Sequence, residues 1–300
     1  MFSSKFFYRQ IDKALENAPV ISTAVHKRIV LFSDCHRGVG NWSDSFLSNK
    51  TIYEAALTYY YNNNFTYIEL GDGDELWENR RFSDIAEVHS DIFALLDRFA
   101  GSGRLFMLWG NHDRIKSNRR FSAPQLPEVH ESLILSNPSG CTDYHLIHGH
   151  QVDPLNNQGW KAARWMVRYL WRPLELSGFK DPTSAARNYD KGKKVEQRLC
   201  AWCQANSASL VAGHTHRPAL HPQGAVRGGG AVPGTDTPAP PAAGGPGWRY
   251  CNTGSCVHPN TITCIEMDRG QISLIKWAAC SDASQYIHVC RHIISGPFEM

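Results

Sequence analysis

Five short apolar runs in this chain each stop at a turn built from Asp, Asn, His and Gly. Residues 28–33 run into Asp34-Cys35-His36, and residues 67–70 into Gly71-Asp72. Residues 105–109 end in Gly110-Asn111-His112-Asp113, residues 144–147 in His148-Gly149-His150, and residues 209–212 in Gly213-His214-Thr215-His216. Runs this short and this apolar read as buried strands rather than helices. Between them, residues 45–61 and 84–100 carry helical patterns. The second places Ile85, Val88, Ile92, Leu95, Leu96 and Phe99 on one face and is stopped by Gly101-Ser102-Gly103. Alternating strands and helices predict an α/β sheet, and in such sheets ligand-binding groups gather beyond the carboxyl ends of the strands. Residues 249–252, 261–267 and 271–277 predict three more strands, the last two a hairpin turning at Asp268-Arg269-Gly270.

Composition excludes several classes. The 300 residues are 42% hydrophobic and 20% charged, enough for a sizeable core and incompatible with a wholly disordered or fibrous chain. A net charge of +3 is too balanced for a dedicated nucleic-acid binder, so no stable nucleic-acid complex is expected. No apolar stretch approaches the ~20 residues needed to span a bilayer. Residues 1–20 carry Lys5, Arg9, Asp12, Lys13 and Glu16 and no signal-peptide core, and the nine cysteines are scattered, so a cytoplasmic location with reduced thiols is expected. Cys200 and Cys203 form a CxxC with no second pair, inside a helical stretch, and read as small packing residues. The phosphate-loop, dinucleotide and serine-elbow patterns GxxxxGK[ST], GxGxxG and GxSxG are absent.

Two segments interrupt the strand pattern. Residues 154–205 predict a mainly helical cap. From Trp160, Lys161, Arg164, Arg168 and Arg172 recur at helical spacing as a basic stripe, with Trp160, Val167 and Trp171 on another face and Pro173 ending the run. That stripe reads as a solvated basic edge, as a clamp for a second anionic group of a substrate, or as a peripheral contact with an anionic membrane surface. Residues 222–247 hold six Pro and eight Gly in 26 positions without periodicity and predict a flexible insertion.

The five turns carry the chemistry. Imidazole, carboxylate and amide oxygen suit borderline divalent cations such as Mn, Fe, Zn and Co, and a carboxylate can bridge two of them. In order, Asp34-x-His36, Gly71-Asp72, Gly110-Asn111-His112-Asp113, His148-Gly149-His150 and Gly213-His214-x-His216 resemble the calcineurin-like metallophosphoesterase superfamily, over roughly residues 28–277 outside the two insertions. The resemblance implies a single domain over 1–300 with a four-layer α/β/β/α sandwich of two mixed sheets. It implies two divalent metal ions, Mn the first expectation: one held by Asp34, His36, Asp72 and His216, the other by Asp72, Asn111, His148 and His214, with Asp72 bridging. It implies hydrolysis of a phosphomonoester or phosphodiester by a metal-bridging hydroxide. His112 is the expected catalytic group, binding phosphate or protonating the leaving oxygen, with Glu75 orienting it. Asp74 is expected to be a local turn residue.

Other residues are assigned by weighing them against simpler roles. Of the two histidines in His148-Gly149-His150, His148 is the expected ligand, and His150 stays open. Arg37, Arg164 and Arg168 are candidate substrate-binding residues, and Asp113 either touches substrate or caps a turn. Cys35 is expected to pack inward. His26, His89, His130, His145, His221, His258, His288 and His292 read as structural histidines rather than ligands. The expected substrate is a phosphorylated small molecule, nucleotide or lipid-linked phosphate. The Gly71-Asp72-Gly73-Asp74-Glu75 stretch lacks the Arg of the protein-phosphatase pattern GDxxDRG, which disfavours that class. The GD-x-x-E arrangement and helical insertion are similar to the bacterial UDP-2,3-diacylglucosamine hydrolases, which usually have Arg where this chain has His112; cyclic-nucleotide phosphodiesterases and nucleases stay open. The rival reading is a non-catalytic scaffold of the same fold. Such scaffolds often lose ligands, whereas all seven are present here.

Because residues 222–247 have too few apolar side chains to bury, replacing them with a short Gly-Ser linker should leave the melting temperature nearly unchanged. A large drop in a thermal melt would show that the segment packs.

Overall fold

A computed structural model describes residues 3–118, 121, 126–138, 143–157, 159–167, 169, 189–220, 249–282 and 284–300. The period-two alternation of one buried strand generates its layering. In β2 (Arg28–Phe32), Val30 and Phe32 face one way and Ile29 and Leu31 the other, and all four are buried. Val30 and Phe32 pack under the helices Lys50–Asn62 and Ser90–Gly101, through Tyr53, Ala56, Leu57, Ile92, Leu96 and Phe99. Ile29 and Leu31 meet Leu133, Leu135, Leu146 and Val211 of a second sheet.

The first sheet joins β3 (Thr66–Leu70), β4 (Leu105–Leu108) and β5 (Val129–His130) in parallel to one side of β2. On its other side β11 (Thr261–Asp268), β12 (Gln271–Ser281) and β13 (Ile287–Glu299) pair antiparallel, giving the order β13-β12-β11-β2-β3-β4-β5. The second sheet contains β1 (Val20–Ser22), β6 (Ser132–Ser136), β7 (Tyr144–Ile147), β8 (Ser209–Ala212), β9 (Ala219–Leu220) and β10 (Tyr250–Asn252), in the order β1-β6-β7-β8-β10-β9. Its outer face is covered by the helices Ser4–Leu15 and Tyr189–Asn206, through Phe7, Ile11, Val195, Leu199, Trp202 and Cys203. The result is the expected α/β/β/α sandwich of two mixed sheets. Among the described residues no helix is long and apolar enough to cross a membrane.

Several elements differ from the sequence reading. The helix expected over 84–100 is two, Phe82–Val88 and Ser90–Gly101, broken at His89. The break is bought by a side chain: buried His89 brings Nε2 to 3.0 Å from Asp44 Oδ2, on the loop after β2. The helix Tyr189–Asn206 falls within the span read as a cap, yet its apolar stripe is one of the outer layers. Cys200 and Cys203 lie on that helix, and burial pushes the Cys200 thiol up to about 12. The helix Ser4–Leu15 and the strands β1, β6 and β13 have no counterpart in the sequence reading. The insertion 222–247, Trp171 and Arg172 lie outside the described residues.

A buried ladder of alternating charges ties the turns after β2, β3 and β4 together. Arg37 donates to both oxygens of Glu69, at 2.8 and 2.9 Å, and through Nε to Asp74 at 2.7 Å. Lys116 Nζ lies 2.6 Å from Asp74 and 2.7 Å from Asp113. Asp113 in turn accepts the backbone N–H groups of Gly110 at 2.7 Å, Gly73 at 3.2 Å and Asp72 at 3.3 Å. Burial alone would raise the Asp74 carboxyl, but Arg37 and Lys116 pull it down to about 2. Two expectations are corrected here. Arg37 is fully buried in this ladder and is not a substrate-facing group, and Asp74 is a buried ion-pair partner rather than a turn residue. Neither role is legible locally, because Glu69, a partner of Arg37, and Lys116, a partner of Asp74, lie far along the chain.

Removing one member of a buried pair strands the others without counter-charge, at a cost of ~3–5 kcal/mol. Arg37→Met should therefore lower the unfolding free energy by about that much in chemical denaturation. A loss below ~1 kcal/mol, the worth of an exposed pair, would contradict the ladder's role.

Candidate metal centre

The ligand-type residues leave their strands through strained backbone. Asp34, His36, Asp72, His214 and His216 have φ of 54°, 50°, 51°, 67° and 56°, in the left-handed region that residues other than Gly rarely occupy. Such residues cost of order 1–3 kcal/mol each and persist where the surroundings over-determine them. Here the turns continue the sheet pairing: Asp34 N–H donates to Gly71 O at 3.1 Å, His36 N–H to Asp72 O at 2.9 Å, and Arg37 N–H to Gly73 O at 3.0 Å. Two motif glycines are required by close approach. A Cβ on Gly110 would lie 2.2 Å from Asp72 Oδ1, and one on Gly213 would lie 2.3 Å from Ser33 Oγ and 2.6 Å from Asp34 Oδ2.

The side chains converge in overlapping groups: Asp34, His36 and His216; His36, Asp72 and His112; and Asp72, His148 and His214. His216 Nε2 lies 3.0 Å from Asp34 Oδ1 and 3.3 Å from His36 Nε2, while His148 Nε2 lies 3.1 Å from Asp72 Oδ2. Asp72 belongs to two of these groups, as a bridging carboxylate would. Hydrogen bonds on the far side of each ring decide which nitrogen points inward. His148 Nδ1 donates to Leu70 O at 2.8 Å, and His36 Nδ1 to Glu75 at 2.9 Å, leaving each Nε2 facing the cluster. His214 turns Nε2 toward Asp153 Oδ2 at 3.4 Å, leaving Nδ1.

The cluster is chemically incomplete as it stands. Asn111 Oδ1 is buried without a hydrogen-bond partner among the described residues, and the buried Asp34 Oδ1 and His148 Nε2 face only other members of the cluster, His216 Nε2 at 3.0 Å and Asp72 Oδ2 at 3.1 Å. Burial opposes charge on His148, but Asp72 and Asp34 push its imidazolium up to about 9. Burial likewise opposes charge on the Asp34 carboxyl, yet His216 and His148 hold it below the usual carboxylate range. An orphaned amide acceptor, carboxylates kept ionised and imidazole nitrogens turned inward form a donor set that fits divalent cations, whose binding displaces the inward imidazole protons. His150 stands apart: it is buried, 5.5 Å ring to ring from His148, belongs to none of these groups, and burial depresses it well below the ordinary range.

A model of calcineurin-like phosphoesterases matches residues 27–218, more than half of the 300-residue chain. The chain belongs to the calcineurin-like phosphoesterase family. No curated protein matches it. Among solved structures, Vps29 from Chaetomium thermophilum aligns with a TM-score of 0.39 at 10% identity, over 89% of this chain and 94% of that one.

At the rim of this family member's cluster, Glu75 accepts from His112 Nδ1 at 2.8 Å as well as from His36, so the expected pair forms and gains a second branch. Trp77 stacks on the His112 ring, with centroids 4.2 Å apart and planes 21° from parallel. The helix Trp160–Met166 reaches this rim, since Val167 and Trp160 pack on Trp77. Arg164 lies over the Trp160 ring at 4.9 Å; Arg168 lies outside the described residues. Trp77, Lys116 and Asp153 were missed by sequence reasoning. Asp153 had a signal, a carboxylate five residues after His148, whereas Trp77 and Lys116 had none.

Because Asp72 joins two groups, Asp72→Asn should lower divalent-metal content across the whole centre, whereas His216→Ala should mainly affect one position. Elemental analysis and calorimetric titration with Mn2+ measure this. An Asp72 variant with wild-type metal content would exclude a bridging role.

Proposed function

We propose that the chain hydrolyses a phosphomonoester or phosphodiester with water as nucleophile, using two divalent cations, Mn2+ the first to be tried. Asp34, His36, Asp72 and His216 would hold one, and Asp72, Asn111, His148 and His214 the other. The observation that carries the reading is the convergence of inward-facing ligand atoms beside a histidine that Glu75 orients. Cations bound there supply Lewis-acid charge against the phosphoryl oxygens and make water a better nucleophile at neutral pH.

The chain's own groups do the rest. Burial disfavours charge on His112, while Glu75 and Asp72 push its imidazolium up, so the chain's own carboxylates favour the protonated form. With Nδ1 bound to Glu75 and the ring clamped by Trp77, Nε2–H is the group free to donate to the leaving oxygen. His112 N–H also donates to Asp72 Oδ1 at 2.8 Å, which fixes the distance between donor and ligand cluster. Arg164 and Trp160, on the helix packed against Trp77, are the candidates to meet the part of the substrate beyond the phosphate, a reading supported by their contact with each other and with the Trp77 cluster. A phosphorylated small molecule, a nucleotide or a lipid-linked phosphate matches that pairing of guanidinium and aromatic ring.

A panel of phosphate mono- and diesters in the presence of Mn2+ tests the activity. His112→Ala should keep its metal while kcat falls by ~10²–10⁴, the worth of a positioned acid. The loss should be greatest for alkyl esters and shrink for nitrophenyl esters, whose departing oxygen needs little protonation. Glu75→Gln should show a milder defect with the same trend. Unchanged turnover of an alkyl ester by a metal-replete His112 variant would refute the assignment.

A further inference from the structure

The far end of the β12–β13 hairpin carries a second set of ligand-type side chains, on the opposite flank of the first sheet from β3, β4 and β5. Register places Cys280 opposite His288, Ala278 opposite Cys290 and Lys276 opposite His292. Directly opposed residues share a face of an antiparallel pair, and so do alternate residues along each strand. Cys280, His288, Cys290 and His292 therefore project from one face. Three of them already meet. The ligand atoms of Cys280, Cys290 and His292 lie within 4.8 Å of one another, and Cys280 Sγ is 3.4 Å from His292 Nε2.

We propose that Cys280, Cys290 and His292, with His288 as fourth ligand, form a zinc site that clips β12 to the edge strand β13. Zinc takes four ligands tetrahedrally, with Zn–S ≈ 2.3 Å and Zn–N ≈ 2.0–2.1 Å, which sets sulfur and nitrogen about 3.6 Å apart. The Cys280–His292 separation of 3.4 Å is close to that edge. Donor chemistry separates this site from the phosphoesterase centre. Two thiolates with imidazole select a soft or borderline cation, whereas the carboxylate, amide and imidazole set around Asp72 contains no sulfur. Binding releases one proton from each thiol as the two Zn–S bonds form, with no change of oxidation state. The location suits a structural clip. Beside the site, Tyr286 and Ile287 are strongly exposed, so few apolar contacts secure this end of the hairpin. The site does not depend on the proposed hydrolysis.

Cobalt loading of the reduced full-length chain tests the proposal. A thiolate-to-cobalt charge-transfer band should appear, should be displaced by a single equivalent of Zn2+, and should persist in Asp72→Asn, whose centre lacks sulfur ligands in any case. Cys280→Ser and Cys290→Ser should each abolish the band, and His292→Ala should weaken Co2+ binding. Because a variant may misfold, the wild-type chain provides a second measurement. Zn2+ should slow iodoacetamide labelling of Cys280 and Cys290 by at least ~10-fold, since a metal-bound thiolate is a poor nucleophile, while the rates at other cysteines stay unchanged. Absence of the band in the folded, reduced protein, its survival in Cys280→Ser, or equal labelling with and without Zn2+ would overturn the site. So would a Cys280–Cys290 disulfide that forms in the presence of Zn2+.

Discussion

The charge ladder from Glu69 through Arg37, Asp74 and Lys116 to Asp113 is the interaction on which the rest of the site depends. Its members come from β3 and from the turns after β2, β3 and β4, and each ion is neutralised by the next. Such an arrangement is not the cheapest way to fill a core, since apolar residues of similar volume often do as well or better. Its effect is positional. Asp113 collects the N–H groups of Gly110, Asp72 and Gly73, so the backbone that carries the ligands is held to a single geometry from below. That restraint helps hold Asp34, His36 and Asp72 at left-handed φ, while His214, on the turn after β8, donates its N–H to Asp34 Oδ2 instead.

Above the ladder, the electrostatics run the other way. Carboxylates of Asp34 and Asp72 are packed among five imidazoles with little solvent, and the buried Asn111 oxygen has no partner among the described residues. A folded protein tolerates this where a ligand supplies the missing charge, and divalent cations have the matching chemistry. Glu75 links the two halves of the site. By accepting from Nδ1 of both His36 and His112, it sets the tautomer of a candidate metal ligand and the orientation of the candidate acid together. Substitution there reaches both functions, which is why the proposed acid role has to be read from leaving-group dependence rather than from activity alone.

How much was legible in sequence depended on whether a residue's role was local. The strands β2, β3, β4, β7 and β8 were readable because each is a short apolar run with its turn attached, and every candidate metal ligand lies at one of those turns. Arg37 was misread because its partner Glu69 sits 32 positions away on a neighbouring strand. The break at His89 was invisible because the 3.6-residue apolar period continues across it, while the non-helical backbone of His89 accompanies contacts with Asp44 and Phe46 on a distant loop. The cysteines and histidines of β12 and β13 looked scattered for the same reason: hairpin register, not spacing along the chain, brings Cys280 beside Cys290 and His292.

By itself, then, the sequence determined the strand ends and the residue types at the candidate centre, because periodicity and turn chemistry are local properties of the chain, while the layer order was implied by the family resemblance. Tertiary structure alone decided which imidazole nitrogen faces the cluster, which arginine is buried, that Glu75 serves two histidines, and that Trp77 clamps His112. Those outcomes depend on pairings between residues far apart in the chain. Strand register and the exclusion of water select such pairings only once the two sheets have closed on each other.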